Sequence, residues 1–297
     1  MVLTILKKDL KMSKVVTRLD YYNGENEVPA GSTRISASSF AKFFSSTTSW
    51  WRENLMNETG FTNSTSSVLG TCVHFVAEEY VRNNGVVDKE EIERYIAQFD
   101  EDTEDNWDID TSIIRLQYPI MGMALVNMYL IENPPSAIEE FLYEEILPEI
   151  GVGGSCDNLT NDCVVDYKTF GGLTAPSTIS YEYRLQLLMY AWLYTKKGIR
   201  INRIRIVYIT RNNVGRISEK TLKPMKDYPT TVSVITEEIT QKDLDFIESL
   251  IFLTSDSVDA WNKMPEFRYI IAQDYRLKHH LWNGLSNTIH PFPTANS

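Results

Sequence analysis

Cysteine is scarce in this chain. Cys72, Cys156 and Cys163 are the three among 297 residues, and no two of them form a Cys-x-x-Cys pair. Three cysteines cannot close a disulfide framework, so the sequence reads as a chain from a reducing compartment. Long hydrophobic runs are missing as well. The longest apolar stretch, Tyr118 to Ile131, is broken by Asn127 and falls short of the roughly 18 residues that span a bilayer. The first residues alternate lysines with apolar side chains and lack the apolar core of a cleavable signal. These absences exclude a disulfide scaffold and point to a cytoplasmic protein with no membrane partner. Positive charge is also in deficit, with 29 Lys and Arg against 40 Asp and Glu and a net charge of −11.

That deficit is unevenly spread. From Lys196 to Lys226 ten basic residues face one acid, Glu219, whereas Glu78 to Asp110 holds thirteen acids and three bases. A chain divided in this way can offer phosphate a positive surface while its other side stays acidic. Both runs also suit solvated faces with no special purpose. Hydrophobic residues make up 43% of the chain, enough for a sizeable core in one large domain or two small ones.

Residues 1–33 show no sustained period and read as an N-terminal arm; 276–297 read as a tail, in which His279, His280 and His290 lack metal-ligand spacing. Ser36 suits the N-cap of a helix through Phe44. The Trp50-Trp51-Arg52 stretch that follows reads either as core or, with Arg34 and Lys42, as a platform for unpaired bases. Val68 to Val81 has helical spacing and sets His74 and Glu78 four apart; on spacing alone His74 is as well explained as a packing residue. A helix is expected from Asp88 to Phe99, and Trp107 falls in the loop after it. Helix is expected again over Thr111 to Ile131, interrupted near Pro119, so that residues of about 84–132 form a helical insertion. Alternation from Glu139 to Leu147 marks a strand. Ser180 caps a predicted helix Tyr181 to Lys196, on which Gln186 and Tyr190 share a stripe with Tyr183 and Tyr194. Ile201 to Thr210 alternates as a strand, Thr231 to Glu238 suggests another, and Thr240 caps a helix from Lys242 to Thr254.

The chemistry concentrates in Gly153 to Thr169. A strand ending near Asp157, a turn from Asn158 to Asp162 and a strand from Cys163 to Thr169 make a β-hairpin. Asp166 and Lys168 then share one face of the second strand, and Val165 and Tyr167 the other. Asp157 adds a second carboxylate on the neighbouring strand. Two carboxylates on half-buried strands repel unless a cation lies between them, and a hard divalent ion such as Mg²⁺ takes one or two carboxylates, a carbonyl and waters. A lysine beside the ion could hold or deprotonate a water, or neutralise charge on a phosphate.

Taken in order, Gly70-Thr71-Cys72-Val73-His74, Asp157, Asp166-Tyr167-Lys168-Thr169 and Gln186-Leu187-Leu188-Met189-Tyr190 resemble the motifs of the PD-(D/E)xK nuclease superfamily, in its RecB-like or phage-type exonuclease branch. The resemblance spans Ser36 to Thr210. It implies an α/β fold with a restriction-endonuclease-like core, a mixed central β-sheet flanked by helices, in a nuclease domain of 34–275. It implies a metal-dependent DNA nuclease, rather an exonuclease than an endonuclease, serving recombination, repair or phage DNA processing and leaving 5′-phosphate and 3′-hydroxyl ends. Mg²⁺, with Mn²⁺ able to substitute, would be held by Asp157, Asp166 and the Tyr167 carbonyl, with His74 as ligand or orienting group. Lys168 would position the attacking water, and Gln186 and Tyr190 would orient the scissile strand. The partner would be DNA, single-stranded or at duplex ends, with a single-strand annealing or recombination protein as a second candidate. Three cysteines are too few for the four-cysteine iron-sulfur cluster of some relatives. No further acid is fixed by motif, which leaves one-metal and two-metal catalysis open. An inactive DNA-binding or assembly protein on the same fold is the competing reading.

Overall fold

A computed structural model describes residues 28–29, 31–55, 63–100, 109–172, 174–218 and 220–264. The tail, Trp107 and the three C-terminal histidines lie outside them, as does the arm except for 28, 29 and 31–33. Six strands form one sheet: β1 (Thr33–Ser36), β2 (Ala137–Leu147), β3 (Ile150–Thr160), β4 (Cys163–Phe170), β5 (Arg203–Thr210) and β6 (Val232–Glu238). Seven α-helices stand among the described residues: α1 (Phe40–Ser45), α2 (Thr47–Leu55), α3 (Thr65–Arg82), α4 (Lys89–Ala97), α5 (Thr111–Leu125), α6 (Tyr181–Lys196) and α7 (Gln241–Lys263). None is long and apolar enough to cross a membrane.

The strand pattern sorts side chains into two cores, one on each face of the sheet. Ile204, Ile206 and Tyr208 of β5 join Val164 of β4 beneath α1, α2, α6 and α7. Val207 and Ile209 join Val165 and Tyr167 against α3, α4 and α5. Helices therefore cover both faces of a mixed sheet, the layering of an α/β domain. β2 runs antiparallel to β3, β4 runs parallel to β5, and β6 closes the far edge antiparallel to β5.

Several boundaries differ from those read in the sequence. Ser36 does not cap a helix: it ends β1, which pairs parallel with β3, and its hydroxyl meets Ser38 Oγ at 3.0 Å instead of a helix N–H. A 3-10 turn, Ala37–Ser39, then leads into α1. Pro119 does not interrupt α5; the irregularity comes later, as a π turn over Val126–Leu130 closed by Ile131 N–H to the Val126 carbonyl at 3.1 Å. The hairpin turn is only Asn161-Asp162, since Asn158 to Thr160 pair with Val165 to Cys163. α7 runs on to Lys263 through Thr254 and Ser255, polar residues that lie fully buried. Cys156 and Cys163 do not face one another but belong to opposite cores.

Close packing of α5 on α3 depends on Gly122. A Cβ built there would lie 2.5–2.7 Å from Cβ and both Cγ atoms of Val76, a branched side chain with little freedom to move aside. Alanine would favour the helix by about 1 kcal/mol, whereas overpacking costs about 1–3 kcal/mol. With contacts this short the cost falls at the upper end and packing should win: Gly122→Ala is expected to lower the urea-unfolding free energy by up to about 2 kcal/mol, and an equal or higher stability would show that the helices can separate.

Candidate active site

The site lies where the hairpin opens. β2 follows one edge of β3 over most of its length, while the other edge is shared by β1, at Ile150 to Gly153, and β4, at Asn158 to Thr160. Between those two pairings this edge of β3 leaves Gly154 to Asp157 without a neighbouring strand, while β4 runs on beside β5, with which it pairs over its whole length. The notch this leaves is a cleft of about 220 Å³. Ser36 and Ser38 line its β1 side, Gly154, Ser155 and Asp157 its floor, and His74, Asp166, Lys168, Gln186 and Tyr190 the rest. The structure thus brings the sequence-predicted side chains to one place, with the backbone of Tyr167 passing between them.

His74 reaches the notch from α3, which starts at a capping box between Ser64 and Ser67. Its Nε2 lies 3.0 Å from the Tyr167 carbonyl oxygen. A carbonyl only accepts, so this contact puts a proton on Nε2 and turns Nδ1 the other way. There Nδ1 meets Asp157 Oδ2 at 3.4 Å and Glu139 Oε1 at 3.5 Å. One donor atom from each of His74, Glu139 and Asp157 lies within 4.8 Å of the others, and all three residues are buried. Asp157 Oδ2 also accepts the Tyr167 N–H at 2.8 Å, which fixes its direction. An imidazole and two carboxylates, hard or borderline donors, suit a divalent cation.

Glu139 is the residue that sequence reasoning missed. Its neighbours Ile138 and Glu140 pair with Asn158 and Cys156, which sets Glu139 opposite Asp157. It is 1% exposed and its backbone is left-handed, with φ +48°. Such a conformation costs a non-glycine residue of order 1–3 kcal/mol and persists where surrounding structure imposes it, often at functional sites. Alternation along β2 carried no sign of it, because the side chain's direction comes from this break in the ladder. Glu78, the other acid read on the His74 stripe, pairs instead with Arg82 at 2.7 Å.

Asp166 is not one of the three clustered ligands. Its Oδ1 accepts from Lys168 Nζ at 2.9 Å and Gln186 Nε2 at 3.1 Å. Nζ also lies 2.7 Å from Oδ2, as an ion-pair contact outside hydrogen-bond directions, so that buried oxygen accepts no hydrogen bond. Burial pushes the Asp166 carboxyl up to about 6, with the Lys168 charge pulling it down and the Asp157 charge adding to the rise. Burial pulls the Lys168 ammonium down, but Asp166 and Asp157 more than offset this and hold it above its ordinary value. Lys168 is therefore a charged donor at neutral pH, and the Tyr183 ring lies 4.9 Å from its nitrogen.

Gln186 and Tyr190 enter from α6, which Ser180 caps through the Tyr183 N–H. Burial pushes the Tyr190 phenol well up, so it stays neutral. Its hydroxyl would lie 3.1 Å from a Cβ at Gly154; glycine there lets the phenol rest on the floor of the notch. The aromatic platform does not exist: Trp50 and Trp51 are buried and pack with Trp261 of α7.

A buried ligand cluster beside a paired lysine and carboxylate, at an opening in a mixed sheet, defines a metal-ion hydrolase type of site. The model of the PD-(D/E)XK nuclease superfamily matches residues 34–257, and the chain belongs to that superfamily, whose members use divalent metals. Among solved structures, a candidate exonuclease from Eubacterium rectale aligns over 94% of this chain and 96% of its own, with 14% identity and a TM-score of 0.50. A phage-related exonuclease from Haemophilus somnus 129PT aligns over 78% and 96%, with 11% identity and a TM-score of 0.43. An alkaline exonuclease from Laribacter hongkongensis aligns over 84% and 97%, with 12% identity and a TM-score of 0.37. At such identity the first likeness speaks to the fold alone, and the other two add no weight. No curated protein matches the sequence.

Two measurements probe this arrangement. Glu139→Gln keeps the shape but removes an anionic donor, and should weaken Mn²⁺ binding in calorimetry by about tenfold or more; unchanged affinity would remove Glu139 from the ligand set. In metal-free buffer, a folded-state pKa above the unfolded value makes Asp166 stabilising below about pH 4, and that contribution is lost as pH rises through about 6. The melting temperature of wild type relative to Asp166→Asn should therefore fall across this window. A difference that stays flat would show that Asp166 is not held protonated by the fold.

Proposed function

We propose that this chain is a Mg²⁺-dependent deoxyribonuclease, acting as an exonuclease on single-stranded or duplex DNA ends in recombination, repair or phage DNA processing. The observation that carries the reading is the Lys168–Asp166 pair set across the notch from His74, Glu139 and Asp157. We assign 34–275 to one nuclease domain with the helices of about 84–132 as its elaboration; both cores and the family match fall within it. A cytoplasmic setting and a single-strand annealing or recombination protein as partner belong to the same proposal.

His74 Nδ1, Glu139 and Asp157 would hold the ion, with Asp166 nearby, while the Tyr167 carbonyl, bonded to the other ring nitrogen of His74, orients the imidazole. The bound ion would supply Lewis acidity, polarising the phosphodiester and making a coordinated water more acidic. The chain's own residues do the rest. Lys168 donates from a fixed position, where its ammonium can orient the attacking water and meet negative charge as it gathers on phosphorus. Gln186 holds Asp166 in place through its amide, leaving Oδ2 without a hydrogen-bond donor and beside the Lys168 ammonium. Ser36 and Ser38 offer hydroxyl groups on the opposite rim, where a strand's phosphates would pass.

End-labelled linear duplex, circular duplex and single-stranded DNA, incubated with Mg²⁺ or Mn²⁺, test the proposal. Wild type should release nucleotides carrying 5′-phosphates from linear forms and spare the circle, and Lys168→Ala should slow this about 100- to 1,000-fold. Cutting of the circle would make the chain an endonuclease. Binding without cleavage of any form would make it a DNA-binding protein on a nuclease fold.

A further inference from the structure

The basic run noted in the sequence divides in the fold. Its first part is held within the fold: Lys196 pairs with Glu248, Lys197 with Glu140 and Arg203 with Asp162, while Arg200 donates to Asn202 and Arg205 to Tyr129 and Asn133. Its second part, Arg211 to Lys226, follows the C-terminal end of β5. Among the described residues, Arg211, Arg216, Lys220, Lys223 and Lys226 form no ion pair. Asp227, the acid next to the run, has its carboxylate engaged by the N–H groups of Asn213 and Tyr228; Glu219 lies outside the described residues.

Arg211 is the fixed point of this part. Its N–H binds the Phe170 carbonyl at 2.8 Å, tying it to the end of β4 two residues beyond Lys168. Its Nη1 donates to Ser66 Oγ at 2.6 Å, in the first turn of α3, and its Nε is buried with no acceptor. Gly171 lies alongside the guanidinium, where a Cβ would stand in ordinary contact, 3.8 Å from Nη1. Burial, then the charge of Arg216, holds Arg211 below its ordinary pKa. A guanidinium and the positive end of an 18-residue helix thus converge on a neutral hydroxyl, with the charge of Arg216 acting on the same guanidinium. Asp110 also reaches this helix end, by its N–H to Thr65 Oγ1, but its carboxylate accepts from Ser112 and the Ile113 N–H. Such a convergence is costly in itself and is relieved by an anion.

Its place in the sheet says which anion. Lys168 pairs with Tyr208 across the parallel β4–β5 ladder, and Arg211 follows three residues later, about 10 Å along the strand direction. A DNA strand whose scissile phosphate meets Lys168 would carry its next phosphates over this same end of the sheet. We propose that Arg211, Arg216 and Ser66 form a second phosphate site, which grips a non-scissile phosphate of the strand being cut. The site takes its substrate from the deoxyribonuclease reading above but is tested without cleavage. Lys220, Lys223 and Lys226 extend the positive surface outward along a small hairpin closed by the Ile217–Pro224 bridge.

The test measures binding of a fluorescent DNA duplex to a Lys168→Ala chain by anisotropy, over a salt series and with a single uncharged methylphosphonate moved along one strand. Adding Arg211→Ala should lower the slope of log affinity against log salt by about 1. One non-scissile position whose methylphosphonate weakens binding to the Lys168→Ala chain should cease to matter in the double variant. Arg211→Lys should retain the slope, which a purely structural role would not require. If Arg211→Ala melts early, Arg216→Ala and Ser66→Ala should each reduce sensitivity at that same position. An unchanged slope, or an unchanged methylphosphonate profile, would overturn the site. Wild type that cuts no DNA, alongside an Arg211-dependent slope, would sink the nuclease reading and leave this site standing.

Discussion

Pairing between β3 and β4 stops after Asn158↔Val165, and the layout of the site follows from where it stops. One residue further on each strand stand Asp157 and Asp166, the first positions freed from the ladder. Asp157 meets His74 and Glu139, while Asp166 meets Lys168 and Gln186. A longer hairpin would have closed the notch over both carboxylates. Beyond Val165 β4 keeps only its parallel neighbour β5, and the end of its pairing with β3 frees both acids from the hairpin in one step.

The rest of the domain keeps those groups from relaxing. A buried carboxylate without partners would take up a proton or turn toward water. Here each is held by groups on rigid elements: the Tyr167 N–H on β4, His74 on a helix clamped against Gly122, and Gln186 on a helix buried on nearly every side. The left-handed backbone at Glu139 fits the same picture, as local strain maintained by the packing around it. The charge distribution is divided as well: cations near Asp162, Glu140 and Glu248 are neutralised within the fold, whereas those beyond β5 form no ion pair among the described residues.

Much of the fold was legible in the sequence. Alternation located β4, β5 and β6. Ser180 marked the start of α6, because a serine just ahead of a helical stripe sets its hydroxyl where the first unbonded N–H groups need an acceptor. The motif positions His74, Asp157, Asp166, Lys168, Gln186 and Tyr190 were visible by type and spacing, and the structure places them around one cleft. What stayed hidden depends on non-local pairing. Glu139 is set by a register break opposite Asp157, β1 by a parallel partner more than a hundred residues away, and the burial of Trp50 and Trp51 by Trp261. Thr254 and Ser255 looked like a helix end, since nothing local shows that α7 carries them into a core. Arg211 looked like one basic residue among ten until the fold supplied Ser66 and withheld a carboxylate.

The central claim is that the notch gathers a divalent ion beside Lys168, and anomalous diffraction from crystals soaked in Mn²⁺ tests it most directly. The account predicts an anomalous peak within bonding distance of His74 Nδ1, Glu139 and Asp157. A peak elsewhere, or a fully diffracting Mn²⁺-soaked crystal with no peak in the notch, would contradict it.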